Sequence, residues 1–305
     1  MAGRRTTSWL RHGVQCAALA AFALAGAYAA LNGTVAGEGV FFGTLSSSTT
    51  RGTLVLSDPF AAFEVIAASR AVPSAGLAAS AGLIAAFYAL VRGRAFCGWL
   101  CPFGLVSEIA NWIGKKTKIA RGRLLRDPLP RHSKTVAGGL VLAASALAGL
   151  PVFELLSPVA FLPRLFAYGV GVGLWLFVAL VAVELFFTDR LWCRGLCPLG
   201  GFYEAIGSVG LVRVAVREGC TGCEACKRAC LADPRILDGT VAGTAGSVTA
   251  GDCMLCGRCI EACPVRVLSF GVGGPALLYR KSAPAAAPKE AACEDDAAQD
   301  PGDER

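Results

Sequence analysis

The chain has 305 residues, 54% of them hydrophobic and 17% charged, with a formal net charge of +7 and a mean hydropathy of +0.55. An ordinary soluble domain carries about 25% charged residues, so the composition favours a membrane protein. The basic excess falls mainly in one loop and points to orientation and anionic lipid rather than nucleic acid. The 14 cysteines sit in a chain too long for a disulfide-stapled mini-domain.

Four apolar stretches approach the roughly 20 residues that cross a bilayer: Val14–Leu31, Ala75–Val91, Thr135–Pro151 and Phe166–Phe187. Arg4, Arg5 and Arg11 precede the first. Ala27-Tyr28-Ala29 near its end also permits a signal-peptide reading. Asn32–Ser74 follows, and Asp58–Ile66 within it predicts a short amphipathic helix resting on a membrane surface. Between the second and third stretches lie ten basic residues: Arg92, Arg94, Lys115, Lys116, Lys118, Arg121, Arg123, Arg126, Arg131 and Lys134. The other two connections hold Arg51, Arg70 and Arg164, and basic residues return at Arg190 and Arg194. This asymmetry predicts a multi-pass protein with both termini and the central basic segment in the cytoplasm.

A cysteine motif follows the second stretch and recurs after the fourth. Arg94-Ala-Phe-Cys97-Gly-Trp-Leu-Cys101-Pro102-Phe-Gly104 returns 96 residues later as Arg190-Leu-Trp-Cys193-Arg-Gly-Leu-Cys197-Pro198-Leu-Gly200, with Glu108 matched by Glu204. Proline suits the first turn of a helix, where its missing N–H costs nothing, so Phe103–Ile113 and Leu199–Ile206 read as helices at the cytoplasmic interface. Cys97, Cys101, Cys193 and Cys197 are candidate thiols for a further metal site, iron–sulfur or zinc, if the two pairs converge. Alternatively each pair is a redox-active dithiol with a lowered pKa, or a pair of packed free thiols.

The polar tail carries two four-cysteine blocks. Cys220-Thr-Gly-Cys223-Glu-Ala-Cys226-Lys-Arg-Ala-Cys230 and Cys253-Met-Leu-Cys256-Gly-Arg-Cys259-Ile-Glu-Ala-Cys263-Pro264 share the C-x2-C-x2-C-x3-C spacing of bacterial two-cluster ferredoxins. In such proteins the fourth cysteine serves the other cluster. Cys220, Cys223, Cys226 and Cys263 are therefore assigned to one [4Fe–4S] cluster, and Cys253, Cys256, Cys259 and Cys230 to a second. Thiolate clusters require a reducing compartment, which again places this tail in the cytoplasm.

The expected fold is an all-α membrane protein of four transmembrane helices with a C-terminal α+β two-cluster ferredoxin domain. Its parts are a cytoplasmic N-terminus (1–13), a first hairpin with periplasmic loop (14–91), a basic loop with the first C-x3-C-P (92–134), a second hairpin (135–188), the second C-x3-C-P (189–214), the ferredoxin domain (215–272) and a disordered tail (273–305). His12 and His132 are the only histidines and read as interfacial residues rather than haem ligands. Glu154 and Glu184, near span ends, read as solvated carboxylates, with quinol proton acceptance as the alternative. Gly169, Gly171 and Gly173 read as a helix-packing feature. Cys16 and Cys293 lie outside any ligand spacing and read as free thiols.

This layout resembles the NapH/MauN family of membrane ferredoxin-type proteins. The likeness is closest from Trp192 to Phe270, including Trp192-Cys193, Cys197-Pro198-Leu199-Gly200, Phe202-Tyr203, Gly251-Asp252-Cys253 and Cys256-Gly257-Arg258-Cys259-Ile260; Ser57-Asp58-Pro59 and Ser157-Pro158 are softer echoes. Leu231 stands where proline commonly follows the fourth cysteine, which bears on loop geometry or potential rather than ligation. The resemblance implies a quinol-oxidising subunit in the bacterial inner membrane. It would pass electrons towards periplasmic nitrate reductase through a ferredoxin-type partner subunit and a multihaem cytochrome. Two other readings stand beside it: a redox maturation factor for a periplasmic enzyme such as methylamine dehydrogenase, and a non-redox metal-bound membrane adaptor.

Overall fold

The computed structural model describes residues 6–32, 42–43, 47–50, 54–117, 130, 133–161, 165, 173–186, 190–217, 219–241 and 246–272. The readings made of His132, Gly169, Gly171, Cys293, the tail 273–305 and residues 118–129 and 131 of the basic loop fall outside them.

The chain opens with helix α1 (Thr6–Asn32) and a small antiparallel sheet of β1 (Phe42–Gly43), β2 (Ser47–Thr50) and β3 (Leu54–Ser57) in that order. Then follow α2 (Pro59–Ser69), α3 (Ala75–Val91), α4 (Ala95–Trp99), α5 (Pro102–Lys116), α6 (Ser133–Ala148), α7 (Val152–Leu156), α8 (Gly173–Phe186) and α9 (Pro198–Gly207). A single π-turn, Trp192–Leu196, precedes α9. The C-terminal part runs through β4 (Val212–Val216), α10 (Ala225–Arg228), α11 (Asp238–Val241), α12 (Arg258–Glu261) and β5 (Leu268–Val272).

The expectation of four transmembrane helices is not met: among the described residues no helix is long and apolar enough to cross a membrane. Helices α3, α6 and α8 have 17, 16 and 14 residues, and at 1.5 Å per residue the longest spans about 25 Å, short of the ~30 Å hydrocarbon core. Helix α1 has 27 residues, but its first half carries Ser8, Arg11, His12 and Gln15, all bonded to the protein.

Helix α2 starts where the sequence places it, and for a clear reason. The Asp58 carboxylate accepts the N–H groups of Phe60 (3.0 Å) and Ala61 (3.3 Å), with Pro59 at the first helical position. It ends at Arg70, whose left-handed backbone (φ 52°) lets its N–H reach the Ile66 carbonyl. Its outer face leaves Phe63 and Val65 exposed, at 52% and 40%. Phe60, Ala61, Ala62 and Glu64 are buried, and the helix packs on α6. The Glu64 carboxylate accepts from the Ser145 hydroxyl (2.8 Å) and the Phe153 N–H (2.5 Å), so an internal hydrogen-bond demand fixes it there.

The helical core gathers Phe60, Phe96, Phe103, Phe153, Leu199 and Tyr203 around Cys101 and Cys197. Helix α9 packs on α3 and α6, and α5 on α1 and α8. In the C-terminal part, β4 pairs antiparallel with β5, Val212 opposite Val272 and Val216 opposite Leu268. This hairpin brackets both cysteine blocks and buries Val214, Val216 and Leu268 beneath them.

Several charges read as loop markers of orientation are internal. Arg11, Arg92, Arg94, Lys134 and Arg190 are each at most 3% exposed. Arg92 donates to the Val248 carbonyl (3.2 Å) and the Ala250 carbonyl, and Arg11 forms an ion pair with Glu108 at 2.6 Å. A buried charge needs such partners, so these residues hold the fold together from within. Glu184, read as solvated, is likewise buried and accepts the Ser107 hydroxyl. His12 bonds Glu108 at 2.6 Å. Gly173 does pack closely: a Cβ there would lie 2.6 Å from the Phe161 ring.

Candidate functional site

Each ferredoxin block is a tight loop entering one helical turn. Its third and fifth positions have left-handed backbones: Gly222 (φ 70°) and Glu224 (φ 58°) in the first block, Leu255 (φ 49°) and Gly257 (φ 76°) in the second. Two such residues around the second cysteine curl the chain until its amides and sulfurs point inward. At Gly257 a Cβ would also lie 2.5 Å from Thr7 of α1, which leaves glycine as the fitting residue there. Glu224 and Gly257 then N-cap α10 and α12, the turns that carry Cys226 and Cys259.

The loops bring the cysteines together in the crossed sense. Cys220, Cys223 and Cys226 line one pocket with Cys263, walled by Val216, Pro264, Val265, Val267 and Leu268. Four sulfurs in an apolar pocket are the donor set and surroundings of a [4Fe–4S] cluster. On the other side, burial and then the neighbouring Cys256 and Cys253 push the Cys230 thiol up to about 12, with the Ala232 N–H opposing. Cys259 is pushed up by burial and by Cys256, Cys253 and Cys230. Backbone N–H groups of Lys227 and Leu255 point at Cys226 and Cys253, the kind of hydrogen bond that tunes a cluster's potential.

The repeated motif makes a second gathering of sulfur. Cys101 and Cys197 are both buried in the helical core, with Cys97 and Cys193 packed against it. Pro102 and Pro198 open α5 and α9 as the sequence predicts, and the Cys197 sulfur accepts the Gly200 N–H at 3.4 Å. Burial pushes all four thiols up, Cys197 to about 12. A reactive dithiol needs a lowered pKa, so the geometry disfavours that reading. Among the described residues no three His, Cys, Asp or Glu side chains converge closely enough to hold a single metal ion. That weighs against zinc, whose ligand sulfurs sit about 2.3 Å from one point.

An ionic cluster joins the two sulfur regions. Arg94 donates to the Asp252 carboxylate at 2.5 Å and to the Cys193 carbonyl at 2.8 Å. Lys134 pairs with Asp252 and, at 2.6 Å, with Glu204. Burial would raise the Asp252 carboxyl, but Arg94 and Lys134 outweigh it and hold it below its ordinary value. Close by, the Tyr203 hydroxyl donates to the buried Asp58 carboxylate at 2.5 Å. Beyond Gly251-Asp252-Cys253 and Ser57-Asp58-Pro59, no sequence signal marks these partnerships, because Asp252 and Lys134 are 118 positions apart.

Two cysteine blocks framed by a β-hairpin and folded over each other define a ferredoxin-type iron–sulfur electron-transfer protein. The comparisons agree: a 4Fe-4S dicluster domain model matches residues 213–264, and a 4Fe-4S binding domain model matches residues 75–120 and again 170–216. The chain is 38% identical over 248 residues to the methylamine utilization ferredoxin-type protein MauN of Methylorubrum extorquens, covering 80% of this chain and 84% of that relative. It is 34% identical to the ferredoxin-type protein NapH of Haemophilus influenzae and 32% identical to that of Escherichia coli, covering 79% of this chain and 83% of the relative in each case. The chain belongs to the NapH/MauN family of ferredoxin-type proteins. No solved structure matches it.

Proposed function

We propose that the protein takes electrons from membrane quinol and passes them one at a time through two [4Fe–4S] clusters towards periplasmic nitrate reductase. Cys220, Cys223, Cys226 and Cys263 hold one cluster, and Cys253, Cys256, Cys259 and Cys230 the other. The observation that carries this reading is the apolar pocket where three cysteines of the first block meet Cys263 of the second. A ferredoxin-type partner subunit and a multihaem cytochrome receive the electrons. The protein works at the bacterial inner membrane with its cluster-binding part on the cytoplasmic side. The exposed side chains of Leu83 and Phe87 on α3, Leu140 and Leu147 on α6 and Trp175 on α8 support an apolar contact there.

The test is anaerobic addition of a reduced quinol analogue to the oxidised protein while the visible absorbance of the clusters is followed. Bleaching by quinol supports the reading. Clusters that dithionite reduces and quinol does not would overturn it. A second reading, redox maturation of a periplasmic enzyme, is favoured by the 38% and 36% identity to two relatives named for methylamine utilization. Deletion separates the two: lost flux with mature reductase present supports electron supply, and absent or unassembled enzyme supports maturation.

A further inference from the structure

Each copy of the C-x3-C-P motif supplies two thiols, and two thiols complete no iron–sulfur or tetrahedral metal site. The family model for 4Fe-4S binding nevertheless matches both copies separately, residues 75–120 and 170–216. The fold resolves this mismatch by bringing the copies together. Cys101 and Cys197 share one buried core, with Cys97 and Cys193 against it. The side chain of Arg94 spans the seam, bonded to the Cys97 sulfur on its own copy and to the Cys193 carbonyl on the other. The second cysteine of each pair occupies an equivalent place at a helix start, Cys101 facing the Phe103 and Gly104 N–H groups and Cys197 those of Leu199 and Gly200.

We propose that Cys97, Cys101, Cys193 and Cys197 together hold one further [4Fe–4S] cluster, two ligands from each copy of the motif. This rests on the reading of the protein as an iron–sulfur carrier. A single ion is disfavoured because no three of these side chains converge on one point. Among the described residues no such convergence is found for the eight cysteines of the ferredoxin blocks either. None of the four is in a disulfide. Arg94, 1% exposed, supplies cationic charge beside the site, which an anionic thiolate cluster needs when buried.

The placement also gives this cluster an electrical neighbour. Cys97 packs against the small core of Leu231, Ala232, Met254 and Cys256. Gly98 meets the second block so closely that a Cβ would lie 2.5 Å from the Met254 carbonyl oxygen. Trp99 donates its indole N–H to the Leu255 carbonyl at 2.9 Å. One electron can pass between the cluster at Cys97 and the cluster at Cys256, oxidising one and reducing the other, with no bond made or broken.

The experiment is native mass spectrometry with iron and acid-labile sulfide analysis of the anaerobically purified full chain. The expected content is about twelve iron per chain, three cubanes, against about eight for the tail alone. Cys97→Ser with Cys193→Ser should lower the count by about four while the reduced tail clusters keep their paramagnetic resonance signal. Cys220→Ser with Cys253→Ser should disturb that signal. About eight iron in the unaltered protein, or one zinc per chain, would overturn the third cluster and leave the tail reading standing. The unaltered protein's own count decides the matter even where a variant fails to fold.

Discussion

Replacing Asp252 by Asn removes one negative charge, without changing shape, from the junction between the helical core and the second cysteine block. Its carboxylate is 2% exposed and sits between Arg94, 1% exposed, and Lys134, 3% exposed. Lys134 keeps Glu204 at 2.6 Å after the change, but Arg94 loses the carboxylate it pairs with. Removing one partner of a buried ion pair costs about 3–5 kcal/mol, which is two to nearly four decades in the folding equilibrium at ~1.4 kcal/mol per decade. The assay is anaerobic urea unfolding of the cluster-loaded protein, followed by tryptophan fluorescence and cluster absorbance together. The cycle Lys134→Met, Asp252→Asn and the double variant should show coupling above about 1 kcal/mol, because the partners touch. An Asp252→Asn midpoint indistinguishable from the unaltered protein, or strictly additive single effects, would refute the argument.

Three further outcomes follow from the same structure. Burial, opposed by bonds from Tyr203, Ala61 and Phe60, raises the Asp58 carboxyl from 3.8 to about 6. A carboxyl with a raised folded pKa contributes stability fully below its unfolded value and loses it as pH rises through the folded one. Stability should therefore fall by about 2 kcal/mol between pH 4 and 7, and Asp58→Asn should flatten that slope in urea titrations across pH. At Glu108 burial pushes the carboxyl up, but Arg190, Arg11 and Arg258 outweigh it and hold the carboxyl low. Its contribution is present above the ordinary carboxylate value and lost as pH falls through the folded value. Glu108→Gln should cost about 3 kcal/mol at pH 7 and almost nothing in strong acid, measured the same way. Gly93→Ala would put a Cβ 1.9 Å from the Tyr203 carbonyl oxygen. Overpacking of this kind costs about 1–3 kcal/mol or more, read as a lowered thermal midpoint, while Gly76→Ala, with nothing within 4 Å, should not destabilise.

What the sequence made legible is local. Block spacing within ten residues fixes which cysteines curl around one point, and proline after Cys101 and Cys197 marks where α5 and α9 begin. Partners far apart in the chain were not legible. Arg94 and Asp252 are separated by 158 positions, so a basic residue between apolar stretches looked like a loop charge and not a buried ion pair. Hydropathy gave the apolar runs but not the helix lengths, and among the described residues no helix is long and apolar enough to cross a membrane. Nothing in the residues of helix α2 says that Ser145 and the Phe153 N–H await Glu64 on its inner face. The strands Ser47–Thr50 and Leu54–Ser57 are too short to declare a period-two pattern.

Two cubane clusters held by the paired blocks would lie close enough to exchange electrons. The most direct measurement is electron paramagnetic resonance of the dithionite-reduced protein at low temperature. Two magnetically interacting reduced [4Fe–4S] clusters give a broadened spectrum, which Cys220→Ser with Cys253→Ser should abolish. A protein with no cluster signal, holding only zinc, would contradict the two-cluster reading.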